Sequence, residues 1–252
     1  MTEYTFNAER ITAECVEWIK SWFYKNGRDC NAYLGLSGGK DSTICAALLA
    51  RALGKERVYG ISMPNTMQDE NDADKIAAFL GINYQCVHID KIYNEFTKLG
   101  ISNYAQTNVP PRIRMTMLYA LSQSNNGRTC ETGNLSENML FYFTTGGDNL
   151  CDFSPLGKLT VTEIKQMGYV LGLPAKWIEK IPDDGLPNSE PDEKKLGIKY
   201  ADLDQYIRTG ELEDKQELER IFEIHNRSLF KEGLINVPTY DPLIRNYFIK
   251  TR

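Results

Sequence analysis

The chain has 252 residues, 42% of them hydrophobic and 25% charged, with a net charge of −5. That length holds one large α/β domain whose core needs no staples, and the acidic balance argues against a nucleic-acid surface, so a polyanionic ligand would have to be met by a local site. The six cysteines (Cys15, Cys30, Cys45, Cys86, Cys130 and Cys151) form no C-x-x-C pair or zinc-like cluster, and no stretch approaches the ~20 apolar residues of a membrane span, so the expectation is a cytoplasmic protein with reduced thiols, no nucleic-acid partner and no membrane association.

Residues 8–25 place Ile11, Val16, Trp18, Ile19, Trp22 and Phe23 on one helical stripe, ended near Asn26-Gly27. A strand over 31–36, a helix over 42–53, a strand over 57–63, a helix over 69–80 and a strand over 84–89 follow, with Gly54 and Gly81 as stops. A helix after Pro111, a strand over 128–132 and a helix from Ser136 fill the middle. Residues 144–159 and 182–194 are too rich in Gly, Asp, Ser and Pro to be regular, and charged helices are expected near 200–208 and 213–230. Strands alternating with helices predict a Rossmann-like, doubly wound parallel sheet with helices on both faces. The expected organisation is a single domain over 1–252: an N-terminal helix over 8–25, a nucleotide-binding α/β core over 31–172, and a C-terminal loop and helical region over 173–252.

The first strand runs into Gly35-Leu36-Ser37-Gly38-Gly39-Lys40-Asp41-Ser42 and then a helix. Glycines at a strand-to-helix junction expose backbone N–H groups at the positive end of a helix, which makes an anion cradle. Ser37, Ser42 and Thr43 add hydroxyl donors, whereas Asp41 would repel phosphate unless a divalent cation lay between them, which implies Mg²⁺. The loop is not a Walker A motif, because position 34 is Leu and Lys40 is followed by Asp41, and no G-x-G-x-x-G fingerprint supports hydride chemistry. A glycine turn needed only for packing is the plain alternative.

SGGKDS resembles the S-G-G-x-D-S loop of the PP-loop ATP pyrophosphatases, the adenine nucleotide alpha hydrolase-like group, which cleave ATP between its α and β phosphates. Residues 63–78, 108–119, 132–137 (TGNLSE), 142–152, 155–159 and 192–200 resemble, in order, blocks of the ammonia-dependent NAD synthetases. That resemblance implies homodimers that make NAD from deamido-NAD (nicotinic acid adenine dinucleotide), ATP and ammonia through an adenylated intermediate, releasing AMP and pyrophosphate. It places Gly35 to Ser42 and Thr132 on ATP, with Ser37 and Asp148 in catalytic roles and Asp148 near the place of ammonia activation. It sets Asp41 with Glu137 on Mg²⁺, and Arg112, Asp152, His225 and Asn226 near deamido-NAD. From the residues alone, Asp148 and Asp152 read as turn chemistry. Arg112 and Arg114, in the first turn of a helix where the dipole disfavours a cation, call for an anionic partner, a solvated or salt-bridged role being the alternative.

The chain also departs from the family pattern. Thr145 and Val161 stand where the family has lysines, Asp183 where Ser or Thr is usual, and Glu131 where it has Gly. The lost cations point to Lys40, Lys158 or Lys165 as compensation. Residues 144–152 and 182–194 are the expected lids over the adenylate. Two other readings stay open: the same adenylating machinery with a different acceptor, and a nucleotide-binding homologue without activity.

Overall fold

The computed structural model describes residues 4–65, 72–181, 190–234 and 237–247. Helix α1 (Ala8–Asn26) begins where the Asn7 side chain accepts the Arg10 N–H at 3.0 Å and ends where the Gly27 N–H returns to Phe23 O at 2.8 Å. Then come β1 (Asn31–Gly35), α2 (Lys40–Leu53), β2 (Val58–Ser62), α3 (Ala73–Leu80), β3 (Asn83–Cys86), α4 (Asp90–Thr97), α5 (Asn103–Thr107), α6 (Val109–Ser124) and β4 (Gly127–Cys130). The second half is helical: α7 (Leu135–Met139), α8 (Val161–Val170), α9 (Ala175–Ile178), α10 (Asp192–Leu196), α11 (Tyr200–Thr209) and α12 (Lys215–Arg227).

All strand pairs are parallel in the order β3-β2-β1-β4, with Ala32 opposite both Val58 and Arg128. Single parallel bridges, Cys130 to Phe153 and Ser154 to Thr239, prolong the sheet past β4. Side chains alternate along β1: Ala32 and Leu34 join a core with α1, α2, α3, α8 and α9, while Tyr33 turns to the opposite core with Ile61, Val109, Ile113 and Leu118. Helices therefore cover both faces, as a buried parallel sheet requires. A further cluster, with Leu135, Val161, Leu203, Ile207, Ile221 and Ile224, joins α7 and α8 to α11 and α12.

After β1 the chain builds outward to β2 and β3, then returns to place β4 on β1's other side. The loops leaving the carboxyl ends of β1 and β4 diverge there and open a crevice, the usual ligand position in such sheets. The expected doubly wound fold is the one observed.

The boundaries differ in instructive ways. Helix α2 starts at Lys40 rather than 42, which puts Lys40 and Asp41 in its first turn. Helix α6 starts at Val109, ahead of the expected point, because Pro110 and Pro111 occupy first-turn positions whose N–H groups would have no partner. Strands β3 and β4 stop at Cys86 and Cys130, short of 89 and 132, and α4 and α5 arise where no helix was expected. The expected start of the helix at 69 and the segment 182–189, with Asp183, lie outside the described residues; from Asp192 that expected loop is helical. Among the described residues no helix is long and apolar enough to cross a membrane.

Candidate active site at the carboxyl ends of β1 and β4

A cleft of about 270 Å³ opens between these two strand ends, lined by residues that include Ser37, Gly39, Asp41 and Ser42 from the first loop and Glu131, Thr132, Glu137 and Asp148 from the second. Gly38 adopts φ 78°, a left-handed conformation that favours glycine and turns the chain sharply into α2. Ser37 Oγ lies 3.2 Å from Ser42 Oγ and accepts the Gly39 N–H at 3.3 Å, while Thr43 Oγ1 donates to Gly39 O at 2.7 Å. The loop is thus held by its own hydroxyls, with the N-terminus of α2 directed at the cleft. Gly35 and Leu36 belong to its base: Gly35 ends β1, and the Leu36 side chain is buried in the core.

Lys40 does not reach into solvent. It is buried, lies 5.8 Å from the Tyr200 ring centroid, and donates to Asp41 Oδ2 at 2.8 Å. Burial opposes its charge, but Asp41 and Glu137 outweigh that and raise its pKa. The other Asp41 oxygen, Oδ1, accepts from Asn134 Nδ2 at 3.1 Å.

Asn134 and Glu137 form a capping box on α7: Glu137 N–H to Asn134 Oδ1 at 3.1 Å, and Asn134 N–H to Glu137 Oε2 at 3.3 Å. The box aims the Glu137 carboxylate at the cleft floor. There, desolvation and then the Asp41 charge push its pKa up to about 8. Glu131 is buried at the end of β4, and desolvation first, then the Asp148 charge, raises it to about 7 against the Ser154 hydroxyl, which favours its ionised form. Desolvation also raises Asp148, against the Thr144 N–H, which donates to its Oδ1 at 2.7 Å, and against the nearby Lys231 and Arg114 charges. Three carboxyls around one cleft are short of compensating positive charge, which is the setting for cationic ligands.

The expected residues fall into two groups. The structure gathers Ser37, Gly39, Asp41, Ser42, Thr132, Glu137 and Asp148 around the cleft. The others sit at its margins or serve the scaffold. Arg112 Nε donates to Thr145 O at 3.1 Å, bracing the loop at the position of the lost lysine. Asp152 accepts from Thr129 N at 2.7 Å and Thr129 Oγ1 at 3.0 Å, tying its loop to β4. His225 on α12 donates from Nδ1 to Met139 O at 2.6 Å and stacks on Phe141 at 5.1 Å, and Asn226 beside it is exposed. Val161 is buried in the α7–α8–α11 cluster. Lys158 pairs with Asp241 at 2.6 Å and Lys165 with Glu179 at 2.7 Å, both on the outside.

Three cations lie closer to the chemistry: Lys180 and Lys231, which sequence reasoning passed over, and Arg114, one of the arginines near Pro111. Lys180, beyond α9, donates to Gly38 O at 3.1 Å and so sits directly on the glycine loop. Lys231 donates to Phe141 O and Phe143 O at 2.9 and 2.6 Å and approaches Asp148; burial lowers its pKa. Arg114 donates from Nε to Met63 O at 3.0 Å, is largely desolvated, and feels Asp148.

A family model described as NAD synthase matches residues 11–234. An NH3-dependent NAD(+) synthetase of Archaeoglobus fulgidus is 38% identical over 237 residues, covering 90% of this chain and 96% of the relative. Among solved structures, an NMN synthetase from Francisella tularensis superposes with a TM-score of 0.84 at 28% identity, over 94% of this chain and 100% of that one. An NH3-dependent NAD synthetase from Campylobacter jejuni, solved with a nitrate ion, gives 0.71 at 30% identity, over 89% and 96%. The hydroxyl-braced glycine loop, the carboxylates facing it and these matches agree, and the chain belongs to the NAD synthase family, nucleotide-using ligases with the PP-loop, adenine nucleotide alpha hydrolase-like fold.

Proposed function

We propose that the chain uses ATP and ammonia to convert the nicotinate carboxylate of deamido-NAD to the carboxamide of NAD. One observation carries this: the Ser37–Ser42 loop and the Asp41–Glu137 carboxylates meet in a single cleft that also holds Asp148. An anion cradle beside carboxyl groups suits a reaction that expels pyrophosphate and then admits a cationic nitrogen source.

In the first step a nicotinate carboxylate oxygen attacks the α phosphorus. The bond from that phosphorus to the bridging oxygen breaks, and its electron pair leaves with pyrophosphate. The carboxylate is already a nucleophile, so the protein's task is alignment and charge stabilisation. Loop N–H groups, the Ser37 and Ser42 hydroxyls and the Lys180 ammonium are placed to receive the departing charge. In the second step ammonia attacks the acyl carbon, the C–O bond to AMP breaks, and the amide forms.

The residues present fit Mg²⁺. Glu137 and Asp41 bring carboxylate oxygens to one floor, and the raised pKa of Glu137 marks a shortage of positive charge there. Asp41 and Glu137 would hold the ion, which would supply charge stabilisation for polyphosphate. A homodimer in the cytoplasm completes the proposal.

The test is incubation with ATP, Mg²⁺, ammonium and deamido-NAD, with NAD, AMP and pyrophosphate measured together. Equal amounts of all three support the reading; pyrophosphate release only with an unrelated acceptor, or ATP binding without turnover, sinks it. A second acceptor, nicotinate mononucleotide, belongs in the same assay, because the NMN synthetase gives a higher TM-score than the Campylobacter NAD synthetase at similar identity. The replacement of a family lysine by Thr145 also suits an acceptor with fewer phosphates. A larger kcat/KM with the mononucleotide would transfer the assignment to it.

A further inference from the structure

Glu131 is the residue that the family pattern least explains, since a glycine is usual there. Its backbone is fixed: the N–H donates to Phe153 O at 2.9 Å, and its carbonyl accepts from Cys130 Sγ at 3.2 Å and Cys45 Sγ at 3.7 Å. The side chain is only 5% exposed, yet it lines the cleft. No ion pair to it exists among the described residues, and none of the influences on its charge is a cation. A short distance along the next strand segment, the buried Ser154 hydroxyl is the one neutral donor among the described residues that acts on this carboxyl, and it brings no positive charge.

Gly133 keeps the space beside Glu131 open. A β-carbon there would lie 3.4 Å from Glu131 Oε1 and 3.8 Å from Glu137 Oε2, so the two carboxyls flank a gap that any other residue would occupy. A buried carboxyl facing such a gap calls for a small cation. Glu137 is the carboxylate that pairs with Asp41 on the proposed Mg²⁺, which leaves Glu131 to face the gap alone. A monovalent cation that donates hydrogen bonds needs fewer protein oxygens, and the proposed reaction supplies one as substrate.

We propose that Glu131 is the ammonium-binding residue of this cleft and accepts the first proton from ammonium. The inference rests on the amidation reading above. Ammonium donates an N–H to the Glu131 carboxylate and transfers that proton to it. The freed nitrogen lone pair attacks the acyl carbon of the adenylate, the C–O bond breaks with its electron pair going to AMP, and the surplus proton on the new C–N nitrogen leaves to Asp148. Glu131 then releases its proton to water. Among the described residues, the titratable groups around it are Cys45 of α2, Cys130 of β4, Cys151 and Asp148 of the following loop, and Glu137 of α7, none of them cationic.

Two half-reactions separate this inference from the reading beneath it. With ATP, Mg²⁺ and the nicotinate substrate but no ammonium, Glu131→Gln should release pyrophosphate in the first turnover as the wild type does. In full turnover its KM for ammonium should rise by about 10-fold or more, the loss expected for a charge-assisted hydrogen bond. Hydroxylamine, uncharged at neutral pH, should be used by the variant as well as by the wild type, a rescue that a merely structural role would not give. Glu131→Gly should show the same pattern and guards against a folding artefact. An unchanged ammonium KM, or a shift in the Mg²⁺ or ATP requirement in its place, overturns the role of Glu131. Failure of the wild type to release pyrophosphate with any nicotinate nucleotide overturns the functional reading itself.

Discussion

Two buried ion pairs in this molecule have opposite surroundings. Glu163 and Arg208 are 1% and 2% exposed and form a complete set: Nε to Oε1 and Nη2 to Oε2, both at 2.7 Å, with Thr160 N–H on Oε2 and Lys158 O accepting from Nη2 at 2.9 Å. Lys40 and Asp41, with side chains 1% and 20% exposed, share one contact on the edge of the cleft, and Glu137 and Asp192 add negative charge that Lys40 alone does not balance. The first pair is closed and locks α8 to α11. The second is left open, and its missing positive charge is what a metal ion or substrate supplies. A buried charge explained by its protein partners is scaffold, whereas one left short of partners marks a site.

The closed pair is where the largest loss is expected. Arg208→Met strands Glu163 in the core and should cost about 3–5 kcal/mol, read as a fall in the midpoint of urea unfolding, while Glu163→Gln with Arg208→Met together should recover part of it. If the single variant unfolds like the wild type, the closed description of this pair is wrong.

At the open site the expected losses are in catalysis. Glu137→Gln should lower kcat/KM by about 100-fold through loss of metal-dependent charge stabilisation. The same change should stabilise the ligand-free protein. The folded pKa of Glu137, about 8, lies above its ordinary 4.5, so the native state holds the proton more tightly than the unfolded chain. Stability is therefore lost as pH rises between those values and the loss is complete above the upper one. The variant's thermal midpoint should match the wild type near pH 4.5 and exceed it at pH 8 to 9. A constant difference across that range would show that Glu137 is not strained by charge.

Lys40→Met comes next, with a rise in KM for ATP of roughly 10-fold. Lys40 pairs with Asp41 and offsets the Glu137 charge, so the variant should also need more Mg²⁺ for half-maximal rate. An increased ATP requirement at unchanged Mg²⁺ dependence would place Lys40 on phosphate instead.

What could be read in the sequence is what is local. Gly38, Gly39, Asp41 and Ser42 lie within five residues, and a strand before them with a helix after them is enough to place their N–H groups. Asn134 and Glu137 are three apart, so their capping box is equally legible. Lys180, Lys231 and Arg114 come to the cleft from separate elements, and only the packed fold brings Lys180 onto Gly38 O. The acidity of Glu131 was invisible for another reason: its pKa near 7 is made by burial, which no pattern of neighbours in the chain reports. The resemblance sets His225 near deamido-NAD, and only the packed fold shows that α12 presents it to Met139 O and the Phe141 ring. Short α4 and α5 were missed because helices of eight and five residues give too little periodicity to detect.

The smallest expected effect concerns the lysines that the departures from the family pattern suggested as substitutes. Lys158 and Asp241 are 50% and 45% exposed, and their 2.6 Å contact lies in water. Solvent screening and the entropy of two long side chains leave such a pair worth about 0.5 kcal/mol or less. Lys158→Ala should thus leave the unfolding midpoint nearly unchanged and the KM values for ATP and the nicotinate substrate untouched. Lys180→Ala, by contrast, removes the ammonium from Gly38 O and should raise the ATP requirement several-fold at constant stability. Because both changes delete one positive charge from an acidic protein, equal kinetic effects would mean that net charge, not position, governs polyphosphate binding. A difference confined to Lys180 would tie the lost family lysines to a cation that reaches Gly38 O from the segment after α9.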